Sequence, residues 1–297
     1  MANHENPVMG VTAALTGIVL FVIMDAFVKW LGARYPVHQL MFFRTVIALI
    51  PVSILVWKAG GISVLKTDRP TLHILRSVLG IAAMGCAFYG LTTMKLADAA
   101  AVFHTAPLLA VAFSVPILSE KVGLRRWTAI CLGLTGALLI VRPGGDVLSQ
   151  GGIVMLCAAI FVAITTNLIR LLNQTDHPVS ITFYFTLSGA LATTLVSWQW
   201  GWVPIQGYDL IFLCVIGILG GLAQYAMSLS FRYASVSLLS PFKYMAMIFS
   251  GLIGYFIWSE VPDTLSLIGM TVILLTGLYT LYRETQLGKA AVSVDRN

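Results

Sequence analysis

Apolar residues fall along this chain in ten long stretches, approximately 8–31, 37–57, 71–92, 97–117, 124–141, 150–171, 179–200, 208–230, 235–257 and 263–282. A helix crossing ~30 Å of hydrocarbon needs ~20 such residues, and each stretch is close to that length. Segments such as ICLGLTGALLIV and IGMTVILLTGLYTLY do not alternate apolar with polar positions. That excludes a membrane barrel, whose ~10-residue strands alternate strictly. The pattern predicts an all-α integral membrane protein with ten transmembrane helices. Connections of about four to six residues, around Ala33–Pro36, Met94–Leu96 and Glu120–Gly123, force consecutive helices to lie antiparallel.

Composition sharpens this picture. Of the 297 residues, 58% are apolar and 10% charged, against roughly 25% charged in a soluble domain. There is too little polar surface to coat a water-soluble ball, so a soluble enzyme, a disordered chain and a disulfide scaffold are excluded. Cys86, Cys131, Cys157 and Cys214 sit in apolar runs without CxxC spacing and read as packing residues. The net charge of +6 reads as basic loops facing the cytoplasm, with no basic run long enough to grip a nucleic acid. If the N-terminus is cytoplasmic, the inner side receives eleven Lys and Arg residues, among them Lys58, Arg69, Arg125, Arg170 and Arg283. The outer side receives four: Lys29, Arg34, Lys95 and Arg142. The positive-inside rule therefore places both termini in the cytoplasm.

The two halves resemble each other at an offset of about 140 residues. Thr135-Gly136 and Thr276-Gly277 are each followed by an arginine, Arg142 and Arg283. Ser119-Glu120 closes the fourth span and Ser259-Glu260 the ninth. Tyr35-Pro36-Val37 enters the second span and His177-Pro178-Val179 the seventh. Five spans per half is an odd number, so the second copy enters the membrane upside down. Inverted repeats are a common way to build a carrier, with the site at their interface. The expected units are residues 8–142, residues 150–283 and a cytoplasmic tail, 284–297.

Three passages carry a family resemblance: MDAFVKWLGARYPVHQLMFFR at 24–44, LADAAAVFHTAPLLAVAFSVPILSEKVGLRRW at 96–127, and YASVSLLSPFKYMAMIFSGLIGYFIWSE at 233–260. With the repeat ends, they make the chain similar to the drug/metabolite transporter superfamily, in its ten-helix branch with two EamA repeats. Within that branch it looks most like the bacterial aromatic amino acid exporters, while similar sequences are described as S-adenosylmethionine carriers. The resemblance implies a basket of ten helices around a central cavity in the bacterial inner membrane. The chain is expected to work as a monomer without a cofactor.

Polar groups at membrane depth are expensive, so each is a functional candidate. Lys243 lies about eight residues into the ninth span, ~12 Å deep, beside Pro241. It reads as a receiver for a substrate carboxylate or as a cap on the carbonyls of a broken turn. Arg44, seven residues into the second span, can hold a carboxylate by two parallel hydrogen bonds or snorkel to the outer headgroups. Arg76, about five residues into the third span, is expected to snorkel. His104 reads as a hydrogen-bond partner, a group that titrates near neutral pH or a satisfied structural histidine, and it aligns with Tyr244 across the repeat. Asp25 and Lys29, four apart, are expected to form an intrahelical ion pair, with a substrate ammonium as the alternative for Asp25. Phe43, Phe88, Tyr89, Tyr184, Tyr225 and Tyr244 are deep rings able to stack on a flat substrate, and Gln224 stands beside Tyr225. Pro107 and Pro241 are expected hinges, since proline removes a backbone donor. Trp30, Trp57, Trp127, Trp198, Trp200 and Trp202 read as interfacial anchors.

The sequence contains no Walker A, HExxH or GxSxG motif and no metal-ligand spacing. The expectation is a secondary transporter, not an enzyme, moving an aromatic or apolar amino acid outward by alternating access. Its partners are the small molecule and membrane lipid. The alternatives are uptake of S-adenosylmethionine or a related nucleoside metabolite, broad metabolite export, and a channel.

Overall fold

The computed structural model describes residues 7–119, 123–141, 150–234, 239 and 242–294. It is all-helical: α1 (Pro7–Leu31), α2 (Val37–Ala59), α3 (Pro70–Thr93), α4 (Leu96–Phe103), α5 (Ala106–Leu118), α6 (Leu124–Val141), α7 (Gln150–Leu172), α8 (Pro178–Trp200), α9 (Asp209–Tyr233), α10 (Met245–Trp258) and α11 (Thr264–Val294). Seven of the described helices are long and apolar enough to cross a membrane, counting α4–α5 as one span. Three shorter apolar helices accompany them, within α6, α10 and α11.

Three local features depart from the sequence expectation. The connection after α2 holds a 3-10 turn, Gly61–Leu65, entered through Gly60 at φ 126°, a conformation that glycine reaches without a Cβ penalty. The fourth apolar stretch is broken, because Pro107 has no N–H to give the carbonyl four residues back, Phe103, and its ring crowds that carbonyl. α4 accordingly stops at Phe103 and α5 restarts at Ala106. Finally, α11 runs on to Val294, so most of the stretch expected as a tail continues the last helix.

The helices associate in non-sequential pairs. α1 packs on α9, α3 on α7, α2 on α8 and α9, α6 on α11, α4 on α10, and α5 on α7. Apolar burial drives helices together in water but not in lipid, where polar side chains and close packing supply the glue. α8 is an example. Thr182, Thr186, Thr193 and Ser197 are buried along it, and the Thr193 hydroxyl meets that of Thr45 on α2 at 3.0 Å. The outward faces are apolar, with Trp57, Trp198 and Trp200 largely exposed near helix ends.

At the face where α1 ends, polar contacts tie the bundle shut. Lys29 pairs with Glu260 at 2.8 Å and donates to the Met94 carbonyl. The other oxygen of Glu260 accepts the Leu96 N–H at the start of α4, at 2.9 Å. Arg34 and Tyr35 both donate to Asp209 Oδ2 at 2.8 Å. Lys29 thus bonds across the bundle rather than to Asp25, because Glu260 sits opposite its ammonium while Asp25 points into the interior. Ser119 and Ser259, the residues before each expected span-closing glutamate, end α5 and α10 in the left-handed region at φ 56° and 54°.

Candidate functional site

The interior of the bundle is a cavity of about 360 Å³ lined by α1, α2, α3, α4, α5, α7, α8, α9, Lys243, α10 and Gly277 of α11. Its walls are mostly apolar. Phe21, Phe88, Phe103 and Phe185 supply rings, and Met24, Met84, Met155 and Met227 supply polarizable, deformable surface. Into this lining project Asp25, Arg44, Arg76, His104, Arg170 and Lys243, with Thr165, Thr166 and Gln224 as neutral polar groups. Asp25 is the only carboxylate among the described lining residues.

Arg44 and Arg76 are each only 4% exposed. The Arg44 guanidinium carbon lies 5.6 Å from the Phe185 ring centre and that of Arg76 lies 3.8 Å from it. Arg44 Nη1 and Arg76 Nε and Nη1 are buried without a hydrogen-bond partner. Snorkelling, one of two readings for Arg44 and the expected one for Arg76, does not occur: both side chains turn inward to the cavity. On α3, small residues Gly80, Ala83 and Ala87 follow Arg76 at helical spacing and line the same cavity. That stripe was a signal in the sequence that Arg76 faces inward.

His104 stands at the α4–α5 break. Its Nδ1 lies 2.6 Å from the Ala100 carbonyl, and its ring also hydrogen-bonds to the Lys243 main chain. Its ring centre lies 6.2 Å from that of Tyr244, which occupies the corresponding turn before α10. His104 thus links the two interrupted spans. Tyr244 is seated on Gly277, where any Cβ would overlap its ring.

The structure brings Lys243, Arg44, His104, Tyr244, Gln224 and Pro107 to the cavity. Four other candidates lie outside its lining. Phe43 packs edge-on against Phe42 and Trp202. The Tyr89 hydroxyl faces Gln150, and Tyr184 donates to the Leu65 carbonyl at 2.6 Å. Tyr225 is partly buried on α9. Pro241 lies outside the described residues. Phe185, Arg76 and Arg170 are among the lining groups that the sequence did not single out as site residues.

A second polar cluster lies at the opposite face, between α7 and α8. His73 Nε2 is 2.6 Å from Asp176 Oδ2, and the Thr175 hydroxyl donates to Asp176 Oδ1 at 2.7 Å. Burial pushes the Asp176 carboxyl up. Hydrogen bonds from Thr67, His73 and Thr175 outweigh that and hold it below its ordinary 3.8. A depressed carboxylate stabilises the fold above its unfolded value and loses that contribution as pH falls through the folded one. We predict that the melting temperature in detergent falls below pH 3.8 by a few degrees more in the wild-type protein than in Asp176→Asn. Parallel pH profiles would contradict this.

Long apolar helices wrapped around a buried, cation-bearing cavity define a polytopic membrane protein that handles a small molecule. The family is explicit in the sequence: the EamA-like transporter family matches residues 8–142 and 149–282, and the chain belongs to it. A pseudopaline exporter of Pseudomonas aeruginosa is 30% identical over 261 residues, covering 88% of this chain and 91% of its own. An S-adenosylmethionine uptake transporter of Rickettsia felis is 28% identical over 277 residues (91% and 94%). A riboflavin transporter of Vibrio cholerae is 24% identical over 292 residues (96% and 97%). A crystal structure 20% identical superimposes with a TM-score of 0.68 over 94% of this chain and 98% of that one, which shows the same fold. The chain is a membrane transporter of a small molecule, not an enzyme.

Proposed function

We propose that this protein is a monomeric secondary transporter of the bacterial inner membrane, with both termini cytoplasmic. It exports an amino acid-like metabolite that joins a carboxylate to an apolar or aromatic body. Ten spans, formed by two inverted five-span copies, alternate the cavity between the two sides of the membrane. What supports inversion is the packing. Exchanging the halves turns the α1–α9 pair into α7–α3 and the α5–α7 pair into α10–α1, while α2–α8, α6–α11 and the contact between the fourth and ninth spans map onto themselves. Both the fourth and the ninth span are interrupted, at His104 and Tyr244, and both end on a left-handed serine.

The observation that carries the substrate reading is Arg44, a buried guanidinium with an unused N–H facing a largely apolar cavity. A carboxylate there satisfies it, and the surrounding Phe and Met side chains receive the apolar body. Asp25 is placed to meet the ammonium. The sulfonium of S-adenosylmethionine is a permanent cation, and two buried guanidiniums against one carboxylate oppose it. In proteoliposomes preloaded with unlabelled amino acids, labelled phenylalanine should show saturable counterflow that excess S-adenosylmethionine does not suppress. Counterflow of S-adenosylmethionine alone would overturn this reading, and linear, non-saturable flux would indicate a channel.

A further inference from the structure

Resting on that reading, we propose that Arg44 and Arg76 form a doubly cationic subsite, so that the transported metabolite carries two carboxylates on one apolar body. The two cations share one ring, that of Phe185, and are close enough to repel each other. Among the described lining residues Asp25 is the single carboxylate, and it faces Arg44. One acid cannot neutralise two guanidiniums. A buried cation without a counter-ion is strongly destabilising, and here each of the two also keeps an unused N–H. With Asp25 engaged by the substrate ammonium, as that reading has it, one substrate carboxylate would serve one guanidinium and leave the other bare.

The backbone is shaped for this arrangement. A Cβ at Gly80 would come within 3.1 Å of Arg76 Nη1 and 2.8 Å of the Phe185 ring, and one at Gly220 within 3.1 Å of Arg44 Nε. Glycine at both positions clears the room in which the guanidiniums lie inward. The Arg76 guanidinium carbon lies over Phe185, 3.8 Å from the ring centre, and a guanidinium placed over a ring can keep its N–H donors available to an anion. Two separate planar forks fit two carboxylates. The phenylalanine and methionine walls suit an apolar spacer between them better than they suit a strongly hydrated phosphate.

The test uses the full-length protein purified in detergent and three probes. N-carboxymethyl-phenylalanine has two carboxylates, N-methyl-phenylalanine lacks the second, and phenyl phosphate carries its charge on one phosphate. The proposal expects the dicarboxylate to bind about tenfold tighter than the monocarboxylate. Arg76→Gln should collapse that ratio towards one, because the dicarboxylate loses far more affinity than N-methyl-phenylalanine does, and Arg76→Lys should restore part of it. The remaining monocarboxylate affinity also reports that the variant is folded. Equal affinities for the first two probes, an equal loss for both in Arg76→Gln, or phenyl phosphate binding as tightly as the dicarboxylate would each overturn the proposal. If the first two probes bind equally and depend on Arg44, the single-carboxylate carrier stands and only the second charge is refuted. If no probe binds, both readings fall.

Discussion

Arg44→Ala should cut counterflow about 100-fold while Trp57→Ala leaves it unchanged. Arg44 is 4% exposed and lies 5.6 Å from the Phe185 ring centre, with Nη1 unsatisfied and Asp25 as its charge partner. Truncation removes the anion-binding donor and at the same moment strands Asp25 in the cavity. Truncating one partner of a buried, hydrogen-bonded charge pair between two binding partners costs about 2–5 kcal/mol of binding, and about 3 kcal/mol is already more than a hundredfold in affinity. The stranded Asp25 adds a separate loss of stability. Trp57 is 76% exposed at the end of α2 and touches none of this. Asp25→Asn combined with Arg44→Ala should recover the thermal stability lost in the single variant but not its transport. Equal flux in Arg44→Ala and Trp57→Ala would refute the assignment.

The second large effect falls on stability. Glu260→Ala should lower the unfolding free energy by about 3 kcal/mol. Its carboxylate serves two helices at once, pairing with Lys29 at the end of α1 and accepting the Leu96 N–H at the start of α4. Both side chains of the pair are largely buried, at 11% and 18% exposure, so the interaction is screened far less than a surface pair. Removing Glu260 leaves a buried ammonium holding only the Met94 carbonyl and uncovers an N-terminal amide of α4. The double variant Lys29→Met, Glu260→Leu should regain most of the lost stability, because exchanging both partners of a buried pair for apolar groups is often neutral. If the single variant melts with the wild-type protein, the contact carries no weight. In an alternating carrier this tie at the far face must open during each cycle, so Glu260→Gln should also raise thiol-reagent access from that face.

The helices were readable because lipid demands long, uninterrupted apolar runs. Leu124–Val141 coincides with its apolar stretch, and most other ends fall within about two residues. The break at Phe103 was only half readable. Pro107 pointed to a hinge, yet where a proline interrupts a helix is set one turn upstream, at the carbonyl it displaces. Side-chain direction was the harder matter. Depth along a span suggested that Arg76 snorkels, but depth says nothing about which face of the helix points inward. The small residues at positions 80, 83 and 87 held that information. Likewise, i to i+4 spacing made Asp25 and Lys29 neighbours, whereas Glu260, 231 positions further along the chain, takes Lys29. Phe185 could not be chosen among fifteen phenylalanines without knowing that α8 turns that ring towards α2 and α3. The rings at Phe43, Tyr89 and Tyr184 were as apolar and as deep as those chosen by the fold, and packing against Trp202, Gln150 and Leu65 took them elsewhere.

Alternating access requires that one cavity serve both sides of the membrane. Ala110 lines that cavity. With Cys86, Cys131, Cys157 and Cys214 replaced, Ala110→Cys offers a single thiol. A membrane-impermeant maleimide applied separately to right-side-out and inside-out vesicles should label it from both sides, and excess substrate analogue should slow both reactions. Labelling from one side only, or from neither, would contradict alternating access.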